Sequence, residues 1–439
     1  MSLVFNMVGG GGNRIKLTGI AITTPPTRTA YKTGETFDPA GMVVTATYSN
    51  GAKLTSPSYT FSPAGALTAD DTAITIIYTE GGVTKTATQT ITVKASIYGV
   101  SWDGTSTTLL SRTDDAAGFT NPVAYMAGIS NYGSLFDAKL PWSGMEIVDD
   151  AEAGKLVKVP KFWYKLTQNG NGLKIQISDA AQDGFSVSPA HMDRGDGKGE
   201  RDVVYIGRYH CRSSDYKSYG GATPKNRITR SAARSGIHAL GSTVWQSDFL
   251  MAFTIWLLYI VEYANWNSQS VIGYGCGNDL DVQNMGYTDS MPYHTGTTAS
   301  ARTTYGATTQ YRNIEGLWDN CYDYMDGCYH NSNGMMVILN PSAFSDSSGG
   351  VLVGKPSVSW ISALSVKTVS DLPPLFIASG SSGSGSTYVP DGWYYDASLP
   401  CLYRGGNYGQ GLDSGMFRVS CTFVSNVSGS ISCRLQKLP

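Results

Sequence analysis

The strongest constraint in the sequence is one apolar run, "FLMAFTIWLLYIV", which spans Phe249 to Val261. This run is shorter than the roughly 20 residues that a helix needs to cross a bilayer. The segment around it lacks Gly and Pro from Ser242 to Trp266, and Ser242 or Thr243 is predicted to cap a helix there. Because this helix is apolar nearly all round, we expect it to be buried at the centre of a large folded unit.

The charge of the chain limits its partners. Charged residues make up 15% of the 439 residues, and the formal net charge is −2. This balance lacks the basic surface that holds a phosphate backbone, so no nucleic-acid partner is predicted. The abundant Gly, Tyr and Ser are typical of β-rich adhesins and virion proteins. The N-terminal "MSLVFNMVGGGGNRIK" has no basic region before its short apolar run, so no signal peptide is expected. Membrane insertion is not expected either, because the run at 249–261 is too short to span a bilayer.

Short alternating segments follow the glycines at 9–12. They are "IKLTGIAI", "MVVTATY", "AITIIYT" and "TATQTITVK", with "TPPT", "SNG" and "EGG" between them. Strands of this length with turn residues between them predict a small β-sandwich. The stretch from Lys16 to Lys94 resembles a bacterial immunoglobulin-like domain of cell-surface and phage structural proteins. The resemblance implies a spacer without chemistry of its own.

The rest of the chain is expected to be mixed. "LVKVPKFWYKLTQ" predicts a strand, whose residues Phe162, Trp163 and Tyr164 are expected to pack in a core. "GMMVILN" and "PLFIAS" predict further strands among Gly- and Ser-rich loops. The predicted organisation is an N-terminal attachment segment at 1–13, an immunoglobulin-like domain at 14–94, a β-rich connecting region at 95–180 and a ligand-binding domain at 181–439.

Candidate chemistry is sparse. The seven cysteines form no CxxC pair, and the five histidines show no metal-ligand spacing, so no metal, cofactor or catalytic residue is predicted. The loop at 277–289 offers Asp279, Asp281 and Asn284 as oxygen ligands, but it lacks the bidentate Glu of an EF-hand. A solvated loop is the favoured interpretation of this segment.

A second resemblance rests on "YRNIEGLWDNCYDYMDG" at 311–327 and "YRGGNYGQGLDSGMF" at 403–417. Together they resemble the C-type-lectin-like domain of formylglycine-generating enzymes and, more closely, of the variable proteins of diversity-generating retroelements, which include phage tropism determinants. The resemblance covers most of residues 155–439 and implies an α+β fold. It departs from the family pattern at Gly316, Asp319, Tyr322 and Tyr324. The positions that it marks as scaffold are Arg312, Glu315, Trp318, Asp326, Gly405, Gly406, Phe417 and Arg434.

The end of the chain predicts a display surface within a variable region at about 391–439. In "FRVSCTFV", alternation places Val419, Cys421 and Phe423 on one face of a strand and Arg418, Ser420 and Thr422 on the other. Turns at Gly409 and Gly411 leave the residues before this strand on short loops. The predicted ligand-binding residues are Asn407, Tyr408, Gln410, Leu412, Asp413, Arg418, Ser420, Thr422 and Phe423.

The resemblance implies a receptor-binding protein of a phage or prophage tail, located on the virion and without enzymatic activity. Its expected partners are a host cell-surface receptor, either protein or glycan, and other tail proteins, and the resemblance implies a homo-oligomer, with a trimer as the expected form. Two alternatives stay open. A cysteine oxidase of the formylglycine-generating type would use Cys421 and Cys433, and a calcium-dependent sugar lectin would need the motif that Trp318-Asp319-Asn320 only approaches.

Overall fold

The computed structural model describes residues 14–276 and 281–439, and the chain divides into two compact units at Ser96. The predicted attachment segment at 1–13 and the candidate ligand Asp279 lie outside the described residues.

The first unit is an all-β sandwich, as the sequence predicts. Three antiparallel strands, Leu17–Thr24, Val43–Tyr48 and Lys53–Thr55, form one sheet, and Thr60–Ser62, Ala73–Glu80 and Val83–Thr90 form another. Ala30–Lys32 and Thr92–Lys94 pair in parallel. Inward-facing apolar side chains of these strands and loops form its core: Tyr31, Phe37, Met42, Val44, Leu67, Ile74, Ile76 and Ile91.

The second unit is mostly β-structure with few helices. Its strands are Ile97–Trp102, Ser111–Asp114, Ile147–Asp150, Gly154–Pro160, Trp163–Asn169, Gly172–Ser178, Ser186–Val187, Val203–Gly207, Val244–Gln246, Gly296–Thr297, Thr309–Tyr311, Ile314–Glu315, Tyr322–Tyr324, Cys328–Asn331, Gly334–Val337, Val351–Gly354, Ser359–Trp360, Ala363–Lys367, Leu375–Gly380, Gly392–Trp393, Cys401–Arg404, Val419–Thr422, Ile431–Ser432 and Leu435–Lys437. Its α-helices are Arg230–His238, Phe249–Tyr263 and Ser268–Val271, and short 3-10 turns lie at Leu135–Ala138, Trp142–Gly144, Pro341–Ala343 and Gly411–Asp413.

The central helix, Phe249–Tyr263, is buried along its whole length, as its all-round apolar sequence predicts. Its predicted start is wrong. Ser242 and Thr243 precede the strand Val244–Gln246, and Asp248 caps the helix by accepting a hydrogen bond from the Met251 amide at 2.8 Å. A short β-branched and aromatic stretch, "VW", favours the strand at this point.

The predicted strand "LVKVPKFWYKLTQ" is two strands in two different sheets. Gly154–Pro160 pairs with Ile147–Asp150 and Val203–Gly207, whereas Trp163–Asn169 pairs with Gly172–Ser178. Lys161 and Phe162 belong to neither strand and separate the two, directly after Pro160, which cannot donate to a ladder. Phe162 and Tyr164 are buried as expected, but Trp163 is only half-buried beneath Lys161.

Strands from both sides of residue 180 share one sheet. Its order is Ile147–Asp150, Gly154–Pro160, Val203–Gly207, Leu435–Lys437 and Val244–Gln246, so the last strand of the chain lies between two strands from much earlier in the sequence. This pairing anchors the C-terminal segment in the second unit. Among the described residues, no helix is long and apolar enough to span a membrane.

Candidate functional site

The C-terminal segment forms the middle of a six-stranded sheet. The strand order is Ser359–Trp360, Gly392–Trp393, Val419–Thr422, Cys401–Arg404, Tyr322–Tyr324 and Ile431–Ser432. Cys401–Arg404 pairs antiparallel with Val419–Thr422, with Tyr403 opposite Ser420, and with Tyr322–Tyr324 on its other side. Residues of the predicted variable region therefore occupy central strands of this sheet. Their outward side chains lie on strands that are hydrogen-bonded to neighbours on both sides.

One face of this sheet closes the main core. Leu402 and Val419 are completely buried there. Phe417, two residues before the strand Val419–Thr422, packs edge-on against Trp266 with ring centroids 4.9 Å apart, and its ring centroid lies 5.8 Å from that of Trp256 in the central helix. These apolar contacts fix which face of the sheet points outward.

A buried carboxylate, Asp323, connects the strands of this sheet to their surroundings. Asp323 Oδ2 accepts hydrogen bonds from Arg434 Nε at 2.9 Å and from Arg404 Nη2 at 3.2 Å, and Asp323 Oδ1 lies 2.8 Å from His210 Nδ1. Burial alone would raise the pKa of Asp323, but the charges of Arg434 and Arg404 and the neighbouring His210 side chain hold it well below its usual range. Asp323 is therefore ionised at any ordinary pH. Sequence reasoning identified Arg434 but missed Asp323 and Arg404.

Arg434 uses its remaining donors on backbone carbonyls. Nη1 donates to Gly207 O at 2.9 Å and to Arg208 O at 3.1 Å, and Nη2 donates to Glu315 O at 2.8 Å. A single side chain from the end of the sequence thus binds three segments.

The other predicted scaffold charges are also buried, and each is ion-paired or hydrogen-bonded. Arg312 donates to Glu262 of the central helix at 2.6 and 3.0 Å, and Asp326 accepts two hydrogen bonds from Arg234 at 2.6 and 2.7 Å. Glu315 accepts from the amides of Gly286 and Thr288 at 2.6 and 3.0 Å. Each carboxylate connects elements that are distant in sequence.

The loop at 405–415 needs its glycines for close packing. Gly405 has φ +88°, and a Cβ there would lie 2.3 Å from Leu317 O; one at Gly406 would lie 2.6 Å from Trp318 O. Trp318 is itself buried and donates from Nε1 to Gly273 O at 3.0 Å. A side chain at either position would collide with the 317–318 backbone, so glycine allows the start of the loop to lie close to it.

The face of the sheet opposite the main core carries tyrosines, of which Tyr322 is buried and Tyr403 is half-buried. The rings of Tyr322 and Tyr403 lie 4.6 Å apart, and Ser420 Oγ lies 3.0 Å from the Tyr403 hydroxyl. Ser420 and Thr422 are half-buried and alternate with buried Val419 and Cys421, as the sequence pattern predicts. Rigid aromatic rings beside small hydroxyl groups are typical of protein recognition surfaces. Tyr403 was not among the predicted ligand-binding residues.

Two predicted outward residues are buried instead. Arg418 is 6% exposed: its guanidinium donates to Asp413 O at 2.8 Å and lies 5.2 Å from the centre of the Tyr394 ring. Asn407 is 8% exposed, and its Oδ1 accepts a hydrogen bond from the Gly409 amide at 2.8 Å. The alternation gave Arg418 the correct face of the strand, but the 405–415 loop and Tyr394 cover it. Both residues therefore support the loop.

The other predicted residues reach the surface to different degrees. Leu412 is 48% exposed, Tyr408, Gln410 and Asp413 are half-buried, and the Tyr408 amide donates to Asn320 O at 3.0 Å. Phe423 is 58% exposed, so its placement on the core-facing side is wrong. The strand ends at Thr422, so the alternation no longer governs Phe423.

Sequence reasoning missed the apolar turn that follows Phe423. Val424 and Val427 are 45% and 54% exposed beside it. The sequence "TFVSNVSG" carries the only signal, which is a group of large apolar residues in a stretch of turn-forming Ser, Asn and Gly. We call the exposed residues Leu412, Phe423, Val424 and Val427, together with the half-buried Tyr403, Tyr408, Ser420 and Thr422, the C-terminal surface.

The residues that the cysteine oxidase and calcium-dependent lectin alternatives would use are buried. Cys421 and Cys433 are buried, and burial raises the pKa of the Cys421 thiol to about 11. Trp318, Asp319 and Asn320 are buried as well, and Asp319 accepts hydrogen bonds from Thr309. In the part of the chain that the structure describes, no group of three or more His, Cys, Asp or Glu side chains is arranged to hold a metal.

A second buried carboxylate lies beneath the 405–415 loop. Asp391 Oδ2 accepts a hydrogen bond from the Phe417 amide at 2.8 Å, and its carboxyl group lies against Gly415, where a Cβ would be 1.8 Å from Oδ1. Burial raises the pKa of Asp391 to about 7, although the Phe417 amide and the charge of Arg418 oppose the shift. The group that supports the end of this loop therefore titrates near neutral pH.

Comparison with known proteins identifies the first unit. A family model described as a bacterial Ig-like domain (group 3) matches residues 24–93. The N-terminal unit is Ig-like. The match covers the sandwich strands from Ala30 to Val93 and none of the second unit. No curated protein matches the chain.

We expect Asp323→Asn to lower the free energy of unfolding of the second unit by about 3–5 kcal/mol, because it leaves Arg404 and Arg434 buried without their counter-charge. Chemical denaturation measures this loss. Asp413→Asn is the matched control, since the side chain of Asp413 is 43% exposed and lies 3.9 Å from Arg418, and it should cost less than about 1 kcal/mol. Equal effects of the two substitutions would contradict the central role of Asp323.

We expect Asp391→Asn to stabilise the protein at pH 8 relative to pH 5. The folded-state pKa is raised from an ordinary value of 3.8 to about 7, so the wild type loses stability as the pH rises between these values. Asparagine keeps an acceptor for the Phe417 amide without this ionisation cost. The difference in unfolding free energy between variant and wild type should grow by on the order of 2–4 kcal/mol.

Denaturant titrations at the two pH values test this expectation. The control is Asp396→Asn, because Asp396 is exposed and the hydrogen bonds from Ser398 lower its pKa. It should show no stabilisation at pH 8, and an Asp391→Asn difference that stays constant with pH would refute the raised pKa.

Proposed function

We propose that this chain is a receptor-binding protein of a phage or prophage tail, which binds a host cell-surface molecule through its C-terminal surface. In this proposal the second unit is a C-type-lectin-like scaffold, and the Ig-like unit is a spacer between the virion and that scaffold. The protein binds its ligand and does not convert it. Its other partners are tail proteins of the virion.

The observation that carries the proposal is that residues 401–434 combine buried residues that support the fold with exposed residues between them. Leu402, Arg404, Val419 and Arg434 are buried and held by the core or by Asp323. Residues between them, such as Leu412 and Phe423, are exposed. A frame that is held by buried contacts tolerates changes at its exposed positions, because surface substitutions away from such contacts alter stability little.

The chemistry of the C-terminal surface favours binding. Tyrosines and exposed apolar side chains supply contact area at a low cost in conformational entropy, and such residues dominate the energy of protein interfaces. The residues that define this surface include no Asp, Glu, Lys, Arg, His or Cys, which are the side chains that most often serve as acid, base or nucleophile in an active site. Several copies on one virion, such as a trimer, would multiply a weak affinity for the receptor.

The binding proposal predicts that Leu412→Ser, Phe423→Ser and Val424→Ser, made together, weaken attachment to cells that the wild type binds by at least about tenfold. Fluorescence of labelled protein on the cells measures attachment. The matched control is Leu135→Ser, Ile147→Ser and Leu352→Ser, which changes three other exposed apolar residues of the same unit. Both triple variants should keep the wild-type melting temperature, and equal attachment by both would place the binding site elsewhere.

We also propose that a retroelement can diversify the exposed part of this surface. The gene should then lie beside a reverse transcriptase gene and a second, near-identical copy of its 3′ end that differs at adenines. Substitutions between natural variants should fall at positions such as the half-buried Tyr408 and the exposed Leu412, and should spare the buried Arg404 and Arg434. Sequencing of the locus tests this proposal. The absence of the repeat would contradict diversification, but it would not contradict the binding proposal.

A further inference from the structure

Two cysteines from distant parts of the sequence meet in a small core of the second unit. Cys211 follows the strand Val203–Gly207, and Cys433 lies between the strand Ile431–Ser432 and the anchor Arg434. Both side chains are completely buried. They share one apolar cluster with Ala153, Leu156, Ile228, Ala233, Ile237, Val244 and Leu435.

The backbone at the two positions is directly hydrogen-bonded. The Cys211 amide donates to the Cys433 carbonyl oxygen with an N···O distance of 2.8 Å. Such a contact places the Cα atoms within the roughly 4.4–6.8 Å that disulfides span. The two thiols are also within hydrogen-bonding reach of each other, and this contact adds to the effect of burial in raising the pKa of Cys211.

The chain on both sides of each cysteine is held in place. Cys211 O accepts a hydrogen bond from the Lys225 amide at 2.7 Å, and Asn226 Nδ2 donates to Gly429 O at 2.7 Å. Asn226 also forms a β-bridge with Ser432, and Arg434 is fixed by Asp323. The two sulfur atoms therefore stay close to each other without movement of the backbone.

We propose that Cys211 and Cys433 are a disulfide-forming pair that ties the C-terminal segment covalently to the scaffold under oxidising conditions. The two thiols lose two protons and two electrons as the S–S bond forms. A low-molecular-weight disulfide such as oxidised glutathione takes up both and leaves as two thiols. The bond closes a loop of more than 200 residues, which restricts the unfolded chain and stabilises the folded one.

Access limits the rate of this reaction in the folded protein. Burial raises the pKa of the Cys211 thiol well above its usual range, so the reactive thiolate is scarce. Tyr216, which is half-buried, packs against the same cluster. We expect the bond to form rapidly during refolding in a glutathione redox buffer and slowly in the native state, and Tyr216→Ala to accelerate native-state oxidation.

The test uses the full chain, purified with a reductant and refolded with or without oxidised glutathione. Denaturation, alkylation with iodoacetamide and peptide mass spectrometry then identify the bonded cysteines. We expect one cross-link, between the peptides that contain Cys211 and Cys433, and two fewer alkylated thiols than in the reduced protein. The oxidised protein should melt a few degrees higher than the reduced protein, and dithiothreitol should reverse the difference.

Variants decide whether the pair is specific. Cys211→Ser and Cys433→Ser should each abolish the cross-link and the rise in melting temperature, whereas Cys421→Ser should retain both. Comparison of the variants under reducing conditions separates loss of the bond from loss of folding, and Cys433→Ala serves if the serine variant fails to fold. Only glutathione adducts, cross-links through other cysteines, or no bond at all in the refolded protein would overturn the proposal.

Discussion

The second unit depends on one buried negative charge, Asp323, and on the two arginines that neutralise it. An ionised carboxylate without partners would be very costly in this environment, so the fold is favoured only when Arg404 and Arg434 reach it. These arginines come from the C-terminal segment, and Arg434 also binds the carbonyls of Gly207 and Glu315. Because Asp323 must be paired, the strand Cys401–Arg404 and the segment that contains Arg434 are both held next to it.

Other buried ion pairs extend this principle across the unit. Arg312 pairs with Glu262 of the central helix, and Asp326 pairs with Arg234 of the helix Arg230–His238. Buried pairs of this kind add little net stability, but they disfavour alternative packings in which a charge would be left alone. A unit with many short strands and long loops has particular need of such specificity. The exposed positions of the C-terminal surface lie on the frame that these pairs define.

The loop at 405–415 shows how the frame reaches the surface. Its start is held by the close approach of Gly405 to Leu317, and its end lies over Asp391. Arg418 binds the loop from below through the Asp413 carbonyl. The loop is therefore supported at both ends and in its middle, which reduces the entropy that a ligand would have to remove on binding. The alternation of residues along the strand indicates the position of Arg418, but it does not indicate the role of Asp391.

The sequence by itself determined the Ig-like sandwich, the burial of the helix Phe249–Tyr263 and the alternation along Val419–Thr422. These features follow from short-range periodicity and from the hydrophobic character of each segment. The tertiary structure alone decided that Asp248 caps that helix, that Asp323 pairs with Arg404 and Arg434, and that Arg418 and Asn407 are buried while Phe423 is exposed. These outcomes depend on contacts between residues far apart in the chain, and a local pattern can assign a residue to a face but cannot tell which distant loop covers that face.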